Sequence, residues 1–467
     1  MRLDEARGRW VLAAAVLGSG VALLDSTVVN VALPTLGRDL DASFAGLQWT
    51  VNGYTLSLAA LLLLGGSLGD RFGRRRLFVV GTVWFGVASL LCGLAPNVEA
   101  LVAARVLQGI GGALLTPGSL AILQSSFAPA DRGRAIGAWS GLGGIAAAIG
   151  PFVGGLLVEV SWRLVFLINL PLCAAVVVVS LRHVPESADP DAPRSLDVLG
   201  AVVGALGLAG VTYALIAAGE RGWTPTEVLV AAGGVVLLGA FVAVEHRSRA
   251  PMLPLGIFSS RQFTATNLVT FAVYAALGAV FFLLVVHLQV VAGFSPLASG
   301  VALLPITVLM LVLSSRAGAL AARIGPRLPM ALGPLLCAGA TVLLARVGPG
   351  AGYLLDVLPG VALFGLGLSA TVAPLTVTVL DAAPLRHAGV ASGVNNAVAR
   401  TASLLAVAVL PVLAGITGAD YTDPDAFRDG FRTAMLLSAG LLAAGGLLAA
   451  LTISDAEVRA AHEQAHG

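Results

Sequence analysis

The chain carries one acidic residue well inside a long apolar run, Asp25, within the sequence LDSTVVNVALP at 24–34. An ionised carboxylate at the centre of a bilayer costs roughly 2.5–3.5 kcal/mol on insertion scales, so such a group faces a bundle interior or water. Two interpretations follow: a structural residue hydrogen-bonded to the backbone, or a carboxylate that binds and releases a proton. The second, which we favour, fails if Asp25 faces lipid or stays permanently paired and sealed from both aqueous sides.

Arg105 is the companion of Asp25. A guanidinium stays charged essentially always, so it needs acceptors when it is buried. At 1.5 Å per helical residue, Asp25 lies roughly 14 Å and Arg105 roughly 11 Å below the outer ends of their apolar runs, so their depths match. Asp25 or backbone carbonyls could accept, and both a structural tie and a part in proton coupling stay open.

An arginine-rich strip, GSLGDRFGRRR at 66–76, separates two apolar runs, and a degraded copy begins 252 residues later at Gly318. The copy keeps the spacing of glycines and arginines, but Ala322 stands at the position that corresponds to Asp70. Arginines here set the orientation of a membrane protein, and a carboxylate among them could also lock neighbouring helices. We expect a weaker lock in the second copy, which lacks the acid.

Four small or helix-kinking residues, Gly150, Pro151, Gly154 and Gly155, supply geometry rather than chemistry. Glycines four positions apart let helices approach closely, and a proline removes one backbone donor and kinks the helix. Ordinary tight packing and a functional helix interface are both compatible with this pattern.

Scattered polar residues inside the apolar runs could line a cavity, although each alone is more often an interhelical hydrogen bond worth about 0.6 kcal/mol. Together they indicate a wide, mostly apolar pocket with few polar contacts, as in sites for lipophilic ligands. His287, near the outer end of its run, is expected at headgroup level. The candidate cavity residues are Asn30, Gln48, Asn52, Tyr54, Gln108, Gln124, Asn267, Gln289, Asn395, Asn396 and Arg400.

Composition places the chain in a membrane. Of its 467 residues, 57% are apolar and 11% are charged, whereas soluble domains carry roughly 25% charged residues. The sequence has no lysine, which excludes ATP-driven pumps that use the lysine of a phosphate-binding loop. The three cysteines lie singly in apolar runs and predict neither disulfides nor a metal site. We expect no cofactor, no metal and no nucleic-acid partner.

Fourteen apolar runs are long enough to cross a bilayer, which takes about 20 residues. Without the seventh and eighth, the pattern would be a plain twelve-helix one. The sequence therefore predicts an all-α integral membrane protein. The runs are 11–34, 47–69, 77–95, 98–122, 135–158, 163–181, 197–217, 226–244, 264–287, 298–321, 328–346, 353–379, 389–413 and 431–453.

Arginines orient these helices, because cytoplasmic loops are enriched in them. With the amino terminus inside, eighteen arginines fall in cytoplasmic segments and six in external ones, so both termini are predicted to be cytoplasmic. Polar, proline-bearing connectors and the copied strip divide the chain into parallel repeats, as in transporters with a site at the bilayer midplane. The predicted domains are a six-helix bundle at 1–181, two inserted helices with their connectors at 182–262, a six-helix bundle at 263–453 and a cytoplasmic tail at 454–467.

Several segments resemble the major facilitator superfamily, and in particular its fourteen-helix drug:proton antiporter branch. The strip is similar to the superfamily's loop signature, and GPFVGG is similar to its antiporter motif. The remaining matches are to the branch, in order along nearly the whole chain. The segments are 66–76, 150–155, 24–34, RVLQGIGGA at 105–113, the stretch from Trp162 to Pro171, and Asn395-Asn396.

The resemblance implies two six-helix bundles plus two extra helices that work by alternating access. It implies proton coupling through Asp25 and Arg105, and a tight interface at the antiporter motif that prevents leak. It also makes the strip a conformational latch with Asp70 and Arg71 at its core. The latch residues are Gly66, Asp70, Arg71, Gly73, Arg74 and Arg75.

We therefore expect a proton-coupled antiporter, not an enzyme, that exports lipophilic or amphipathic drugs or related small molecules across a bacterial inner membrane. Its partners would be the small-molecule substrate, protons and membrane lipid, and we expect a monomer. Because Asp25 is the one deep acid, neutral or monocationic cargo is expected. A symporter, an exporter of one endogenous metabolite or antibiotic, and a membrane-embedded enzyme or sensor are the alternatives.

Overall fold

The computed structural model describes residues 1–190, 196–248, 251–382, 388–417 and 423–455. Within these ranges the chain is helical and contains no strand, which confirms the all-α fold class. Thirteen helical segments of the described chain are long and apolar enough to cross a bilayer. The 32-residue helix Pro129–Val160 lies at the place of the remaining predicted run, 135–158.

The first of two compact units comprises Met1–Pro254 and Ser295–Gly300. In this unit α4 packs against α2 and α3, α1 packs against α5, and α8 packs against α9. The inserted helices α8 and α9 thus belong to the first unit. Its helices are α1 (Ala6–Asp39), α2 (Phe44–Phe72), α3 (Arg74–Gly93), α4 (Val98–Ser126), α5 (Pro129–Val160), α6 (Leu164–Leu167), α7 (Asn169–His183), α8 (Val198–Arg221) and α9 (Pro225–Arg247).

The second unit comprises Leu255–Phe294 and Val301–Gly467, and most of the predicted tail, 456–467, lies outside the described residues. Here α10 packs against α15 and α16, while α14 packs against α12 and α13. The predicted domain boundaries stay a prediction. After a 3-10 turn at Leu255–Ser259 the helices are α10 (Arg261–Val290), α11 (Pro296–Ala302), α12 (Leu304–Ile324), α13 (Arg327–Leu344), a π-helical turn (Tyr353–Val357), α14 (Leu358–Asp381), α15 (Ala388–Leu413) and α16 (Pro424–Thr452).

Local sequence determines where many of these helices begin and end. Side chains of Ser43, Asn97 and Ser260 accept hydrogen bonds from the free N–H groups of the following helix, as N-caps do. Gly73 and Gly325, which correspond in the repeat, end α2 and α12 with φ angles of 110° and 95°. Those angles favour glycine, so the same turn is built at both copies of the strip.

Three of the predicted runs are interrupted. Run 163–181 forms α6 and α7, run 298–321 forms α11 and α12, and run 353–379 begins with the π-helical turn. A proline lies just beyond each break. Because proline has no N–H to bond the carbonyl four residues earlier, the helical ladder is interrupted there. The prolines are Pro171, Pro305 and Pro359.

Candidate functional site

Asp25 and Arg105 meet in the interior of the first unit. Arg105 Nη1 donates to Asp25 Oδ2 over 2.6 Å, and Arg105 Nε donates to the carbonyl oxygen of Thr50 over 3.0 Å. The side chains of Asp25 and Arg105 are 0% and 1% exposed. The guanidinium thus uses both kinds of acceptor that the sequence left open, a carboxylate on α1 and a carbonyl on α2.

Gln108 connects the two charged groups. Its Oε1 accepts from Arg105 Nη1 over 2.6 Å, while its Nε2 donates to Asp25 Oδ1 over 2.8 Å. Gln108 lies three residues after Arg105 on α4, a spacing that puts two side chains on the same helix face. One amide therefore positions both charges, because it offers an acceptor to the cation and a donor to the anion.

Asn169 and Ser89 complete the network. Asn169 Nδ2 donates to Asp25 Oδ1 over 2.9 Å and to Ser89 Oγ over 3.2 Å, and Gln108 Nε2 reaches the same hydroxyl over 2.7 Å. Asn169 is the first residue of α7, so the break before this helix brings its amide to the acid. Asn169 Oδ1 is buried without a hydrogen-bond partner in the described part of the chain.

Aromatic rings enclose the cation. The Arg105 guanidinium lies 4.4 Å from the ring centroid of Tyr54 and 5.7 Å from that of Phe166, within the range of cation–π attraction. Gly109 lets α4 reach α2 at this level, because a Cβ there would collide with the carbonyl oxygen of Tyr54. Close helix approach thus places the ring and the Thr50 carbonyl within reach of the arginine.

In this arrangement the ion pair is closed. Asp25 accepts from three side chains and exposes no surface. It faces the bundle interior, as expected, but a proton cannot reach it here without a rearrangement. A proton-binding Asp25 therefore requires a second arrangement in which the pair is open to water.

The glycines at the centre of α5 adjoin the acid-bearing helix. A Cβ on Gly150 would collide with Thr27 Oγ1, and a Cβ on Gly154 would lie 3.0 Å from Val28 Cα. These α1 residues follow Asp25 by two and three positions. Pro151 lies inside α5, between the two glycines. The predicted close packing is thus directed at the segment of α1 that carries the acid.

Gly155 faces another neighbour of the first unit. A Cβ on Gly155 would lie 2.6 Å from Leu297 Cα and 2.9 Å from the carbonyl oxygen of Pro296, in the short segment Ser295–Gly300. The backbone of that segment leaves no room for a side chain at this position.

Within the arginine-rich strip, Asp70 pairs with Arg74. Arg74 Nε donates to Asp70 Oδ1 over 2.9 Å, and Gly73 makes the turn between the two helices. Arg71, which was expected beside Asp70 at the core of the latch, is exposed and lies 5.0 Å from the ring centroid of Phe72. Among the described residues the acid therefore bonds an arginine of its own hairpin. A Cβ on Gly66 would lie 3.7 Å from Pro117 Cβ on α4, at ordinary contact distance.

The connector after α7 supplies a second acid to the strip. Glu186 Oε1 accepts from the backbone N–H of Arg75 over 3.1 Å, and its Oε2 lies 3.6 Å from Nε of both Arg75 and Arg76. The backbone N–H of Arg74 donates to the Ser187 carbonyl over 2.8 Å. A carboxylate at the amino end of α3 satisfies a free N–H and suits the helix dipole.

Asp455 occupies the corresponding place in the second unit. Its Oδ1 accepts from the backbone N–H of Arg327 over 3.0 Å, and Arg327 corresponds to Arg75 in the repeat. The second copy, in which Ala322 replaces the acid of the first, therefore receives a carboxylate from the segment after α16. The sequence-based expectation that the second copy holds its helices less strongly took into account only the residues of the strip, and not a carboxylate from another segment.

The candidate cavity residues fall into several environments. Tyr54 and Gln108 are sealed around the ion pair. Asn395 Nδ2 donates to Asn267 Oδ1 over 3.2 Å across α15 and α10. Asn52 is fully buried, and neither polar atom of its amide has a partner among the described residues. The others are Gln48, which is buried, Asn30, Gln124, Gln289 and Arg400, which are partly buried, and Asn396, which is exposed.

His287 is fully buried within the protein. Its Nε2 lies 2.8 Å from the carbonyl oxygen of Val347, and its ring stacks on Phe431 with centroids 3.7 Å apart. Phe431 belongs to the beginning of α16, more than a hundred residues away in sequence. Position along one helix does not reveal what packs beside it, so this burial was not evident from the sequence; the headgroup level of His287 stays a prediction.

Asn169, Ser89 and Glu186 belong to these networks but were not among the predicted site residues. Asn169 lies in the segment that resembles the antiporter branch, so a role for it was within reach of the sequence. For Glu186 the only signal in the sequence is that it is an acidic residue in a proline-bearing connector. Ser89 is a small polar residue in an apolar run and carries no signal of its own.

The profile of the Major Facilitator Superfamily matches residues 15–406 of this chain. The chain is 39% identical over 416 residues to a tetracenomycin C resistance and export protein of Streptomyces glaucescens, which covers 87% of this chain and 76% of the relative. It is 36% identical over 477 residues to a puromycin resistance protein of Streptomyces alboniger, with 98% of this chain and 94% of the relative covered.

Solved structures share the fold. A bacterial homologue of the human lysosomal transporter Spinster, in an inward-facing and unoccupied conformation, superposes with a TM-score of 0.69 at 16% sequence identity. The superposition covers 96% of this chain and 97% of that one. At this identity the likeness concerns the arrangement of helices and not the substrate.

Proposed function

Because this chain belongs to the Major Facilitator Superfamily, a family of multi-pass membrane transporters, we propose that it is a proton-coupled antiporter that exports a lipophilic or amphipathic small molecule. The relatives named for resistance and export support efflux as the direction of transport. Membership in the family favours transport over a membrane-embedded enzyme or sensor.

The cargo range has two candidates. A multidrug resistance protein of Mycobacterium tuberculosis, 35% identical to this chain, supports a broad range. Relatives named for single compounds, tetracenomycin C and puromycin, support export of one antibiotic or metabolite. A mostly apolar pocket suits both, since few polar contacts restrict its ligand.

The buried Asp25–Arg105 pair carries the proposal of proton coupling. Protonation of Asp25 removes the charge that holds Arg105 Nη1, and the guanidinium keeps Gln108 Oε1 and the Thr50 carbonyl as acceptors. The neutral carboxyl can find an acceptor in Asn169 Oδ1, which is unpartnered, if that amide rotates. The pair can therefore open on protonation without leaving either group unbonded.

The proposed cycle alternates two arrangements. In the open one Asp25 takes a proton from the outside and cargo is released there; the proton then leaves to the cytoplasm as the pair re-forms. Gly150 and Gly154 keep α5 against the α1 segment that must move, and the strip with Glu186 holds the cytoplasmic ends of α2 and α3. We place the protein as a monomer in a bacterial plasma membrane, surrounded by lipid, with both termini in the cytoplasm.

The test is transport by Asp25→Asn in proteoliposomes under an imposed pH gradient, with a panel of lipophilic compounds. We expect gradient-driven export to be abolished while the protein still folds and inserts, because asparagine cannot exchange a proton. Ser89→Ala is the matched control, since it removes a hydroxyl from the same network without changing a titratable group. It should keep most of the transport.

Undiminished export by Asp25→Asn would remove Asp25 from the mechanism. Equal loss in Asp25→Asn and Ser89→Ala would assign the network to structure alone. Wild-type transport that ignores the pH gradient would contradict proton coupling altogether.

A further inference from the structure

The second unit carries an arginine in the middle of a helix without an acid at the same depth. Between residues 255 and 455 every acidic residue that the structure describes lies at a helix end, in the first turns of α16 or in a connector. Arg400, by contrast, lies on α15 twelve residues after Ala388 and thirteen before Leu413, and its nearer helix end is farther away than for any other arginine in the described helices of the unit. A charged residue at such a depth is a candidate functional group.

Arg400 has no anionic partner in the part of the chain that the structure describes. None of the ion pairs in the described chain includes it, and no hydrogen bond to an acceptor of the described residues occupies its guanidinium. Arg105 shows the alternative within the same chain, since it is fully buried with a carboxylate, an amide oxygen and a carbonyl as acceptors. Arg400 is instead partly exposed.

The exposed side of Arg400 is a polar one. Ser392, Asn396 and Arg400 recur at four-residue intervals and form a stripe along α15, and Asn396 is exposed. The neighbouring face of the helix, with Ala402 and Ala406, packs into the apolar cluster shared with α10. A stripe of this kind faces water rather than lipid, because polar residues in membrane helices face cavities or other helices.

Tyr274 on α10 lies at the level of Arg400, because Ser403, three residues after Arg400 on α15, contacts its backbone. Ser403 Oγ donates to the Tyr274 carbonyl over 3.0 Å and ties the two helices at this level. The phenol O–H has no acceptor among the described residues. A guanidinium and a hydroxyl donor therefore lie at the same level of two packed helices, and together they form a donor set that binds anionic oxygen.

A lipid headgroup cannot supply that anion. At 1.5 Å per residue, Arg400 lies about 18 Å from one end of α15 and about 20 Å from the other. The hydrocarbon core is roughly 30 Å thick, so the arginine is near its centre and far from either layer of phosphates. The anion must come from a solute that enters the protein.

We propose that Arg400, assisted by the Tyr274 hydroxyl, binds an acidic oxygen group of the exported compound, such as a carboxylate, sulfonate or phenolate. This inference rests on the proposed export function and narrows its cargo to amphipathic anions. It differs from the expectation of neutral or monocationic cargo, which stays a prediction and counted only the deep acids. The structure pairs Asp25 with Arg105 and leaves Arg400 without a counter-ion among the described residues.

The test uses two dyes with the same ring system and different charge. One is 8-anilino-1-naphthalenesulfonate, a permanent anion, and the other is N-phenyl-1-naphthylamine, its neutral counterpart. Binding of each to the full chain in lipid nanodiscs is measured by fluorescence, with empty nanodiscs subtracted. We expect Arg400→Gln to weaken sulfonate binding about tenfold or more, as loss of a hydrogen bond to a charged group does, and to change binding of the neutral dye less than about twofold.

Three further variants sharpen the result. Arg400→Lys keeps the charge but not the planar fork, so its loss should be smaller than that of the glutamine variant. Tyr274→Phe should weaken binding of the sulfonate dye only. If Arg400→Gln fails to fold, Arg400→Lys and Tyr274→Phe still test the inference. Arg316→Gln is the matched control, since it removes the same charge from α12 of the same unit, where Arg316 bonds the Val312 carbonyl of its own helix. It should leave both dyes unchanged.

The inference would be wrong if Arg400→Gln weakened the binding of both dyes equally, or if Arg316→Gln weakened sulfonate binding as much as Arg400→Gln does. It would also be wrong if sulfonate binding were lost when chloride replaces gluconate in the buffer, because Arg400 would then bind an inorganic anion. The outcome is separable from that of the export proposal. If export is driven by protons but sulfonate binding does not depend on Arg400, only this inference is wrong. If sulfonate binding depends on Arg400 but the pH gradient drives no transport, only the export proposal is wrong.

Discussion

Asp25 combines complete burial with a full set of hydrogen-bond donors. Arg105, Gln108 and Asn169 all donate to its carboxylate, so the charge is compensated although no surface is exposed. A buried ion pair contributes little net stability over an apolar pair of the same shape, because desolvation offsets the attraction. Removing one partner, however, leaves the other charge buried and unpaired. The pair is thus a point at which losing the charge of one partner has a large energetic effect.

A double-mutant cycle tests this at the level of the two residues. We expect Asp25→Asn and Arg105→Gln each to lower the free energy of unfolding by about 3–5 kcal/mol, and the double variant to lose clearly less than the sum. The measurement is denaturant or thermal unfolding of the purified protein in micelles. Additive losses would mean that the two charges do not depend on each other.

Among the elements, α5 determines how closely the acid-bearing helix α1 is held. Its glycines leave room for Thr27 and Val28, which lie less than one turn beyond Asp25. Small residues promote helix association in membranes because they let backbones approach, and there is no hydrophobic drive between apolar surfaces in lipid. The antiporter-type motif therefore acts here on the environment of the acid, through packing.

The double variant Gly150→Ala/Gly154→Ala should destabilise the protein by about 1–3 kcal/mol, because the added methyl groups overpack against α1. Gly137→Ala is the control on the same helix, where a Cβ meets nothing within 4 Å, and it should be neutral or stabilising by up to about 1 kcal/mol. Thermal unfolding in detergent distinguishes the two variants. A double variant as stable as the control would show that α5 can shift to accommodate the methyl groups.

At the scale of the whole molecule the chain is a duplication whose halves use one device twice. In each unit a glycine with positive φ ends one helix, and a carboxylate from a distant segment accepts from the amino end of the next. In the first unit the acid is Glu186 and in the second it is Asp455. Both segments follow the last helix of their bundle, which ties the end of each bundle to its arginine-rich turn.

Orientation in the membrane is the prediction that belongs to this scale. A membrane-impermeant maleimide should label Glu99→Cys in intact cells and Arg132→Cys only after the membrane is opened, because the arginine distribution puts position 99 outside and position 132 inside. The three native cysteines are buried and should give a low background. Green fluorescent protein fused to the carboxyl end should fluoresce, as it does in the cytoplasm. The opposite labelling pattern would reverse the topology.

The amino-acid sequence alone determined the class of the protein and singled out Asp25 and Arg105 as the two charged residues that need partners in the interior. These follow from local properties: run length against bilayer thickness, and the cost of placing Asp25 or Arg105 in hydrocarbon. The helix breaks before Pro171, Pro305 and Pro359 could be predicted because proline lacks a backbone N–H. Hydropathy alone does not show them, since each run is apolar throughout.

Only the tertiary structure decided which groups share an environment. Gln108 and Tyr54 joined the ion pair, His287 was sealed by α16, and Asp455 reached the second strip, because contacts between helices distant in sequence depend on the rotation and register of each helix. Hydropathy is nearly uniform along these apolar helices, so it carries little information about which side of a helix faces a neighbour. Arg400 is the clearest case: the sequence showed a charge in a membrane helix, and the fold leaves that charge without a counter-ion among the described residues.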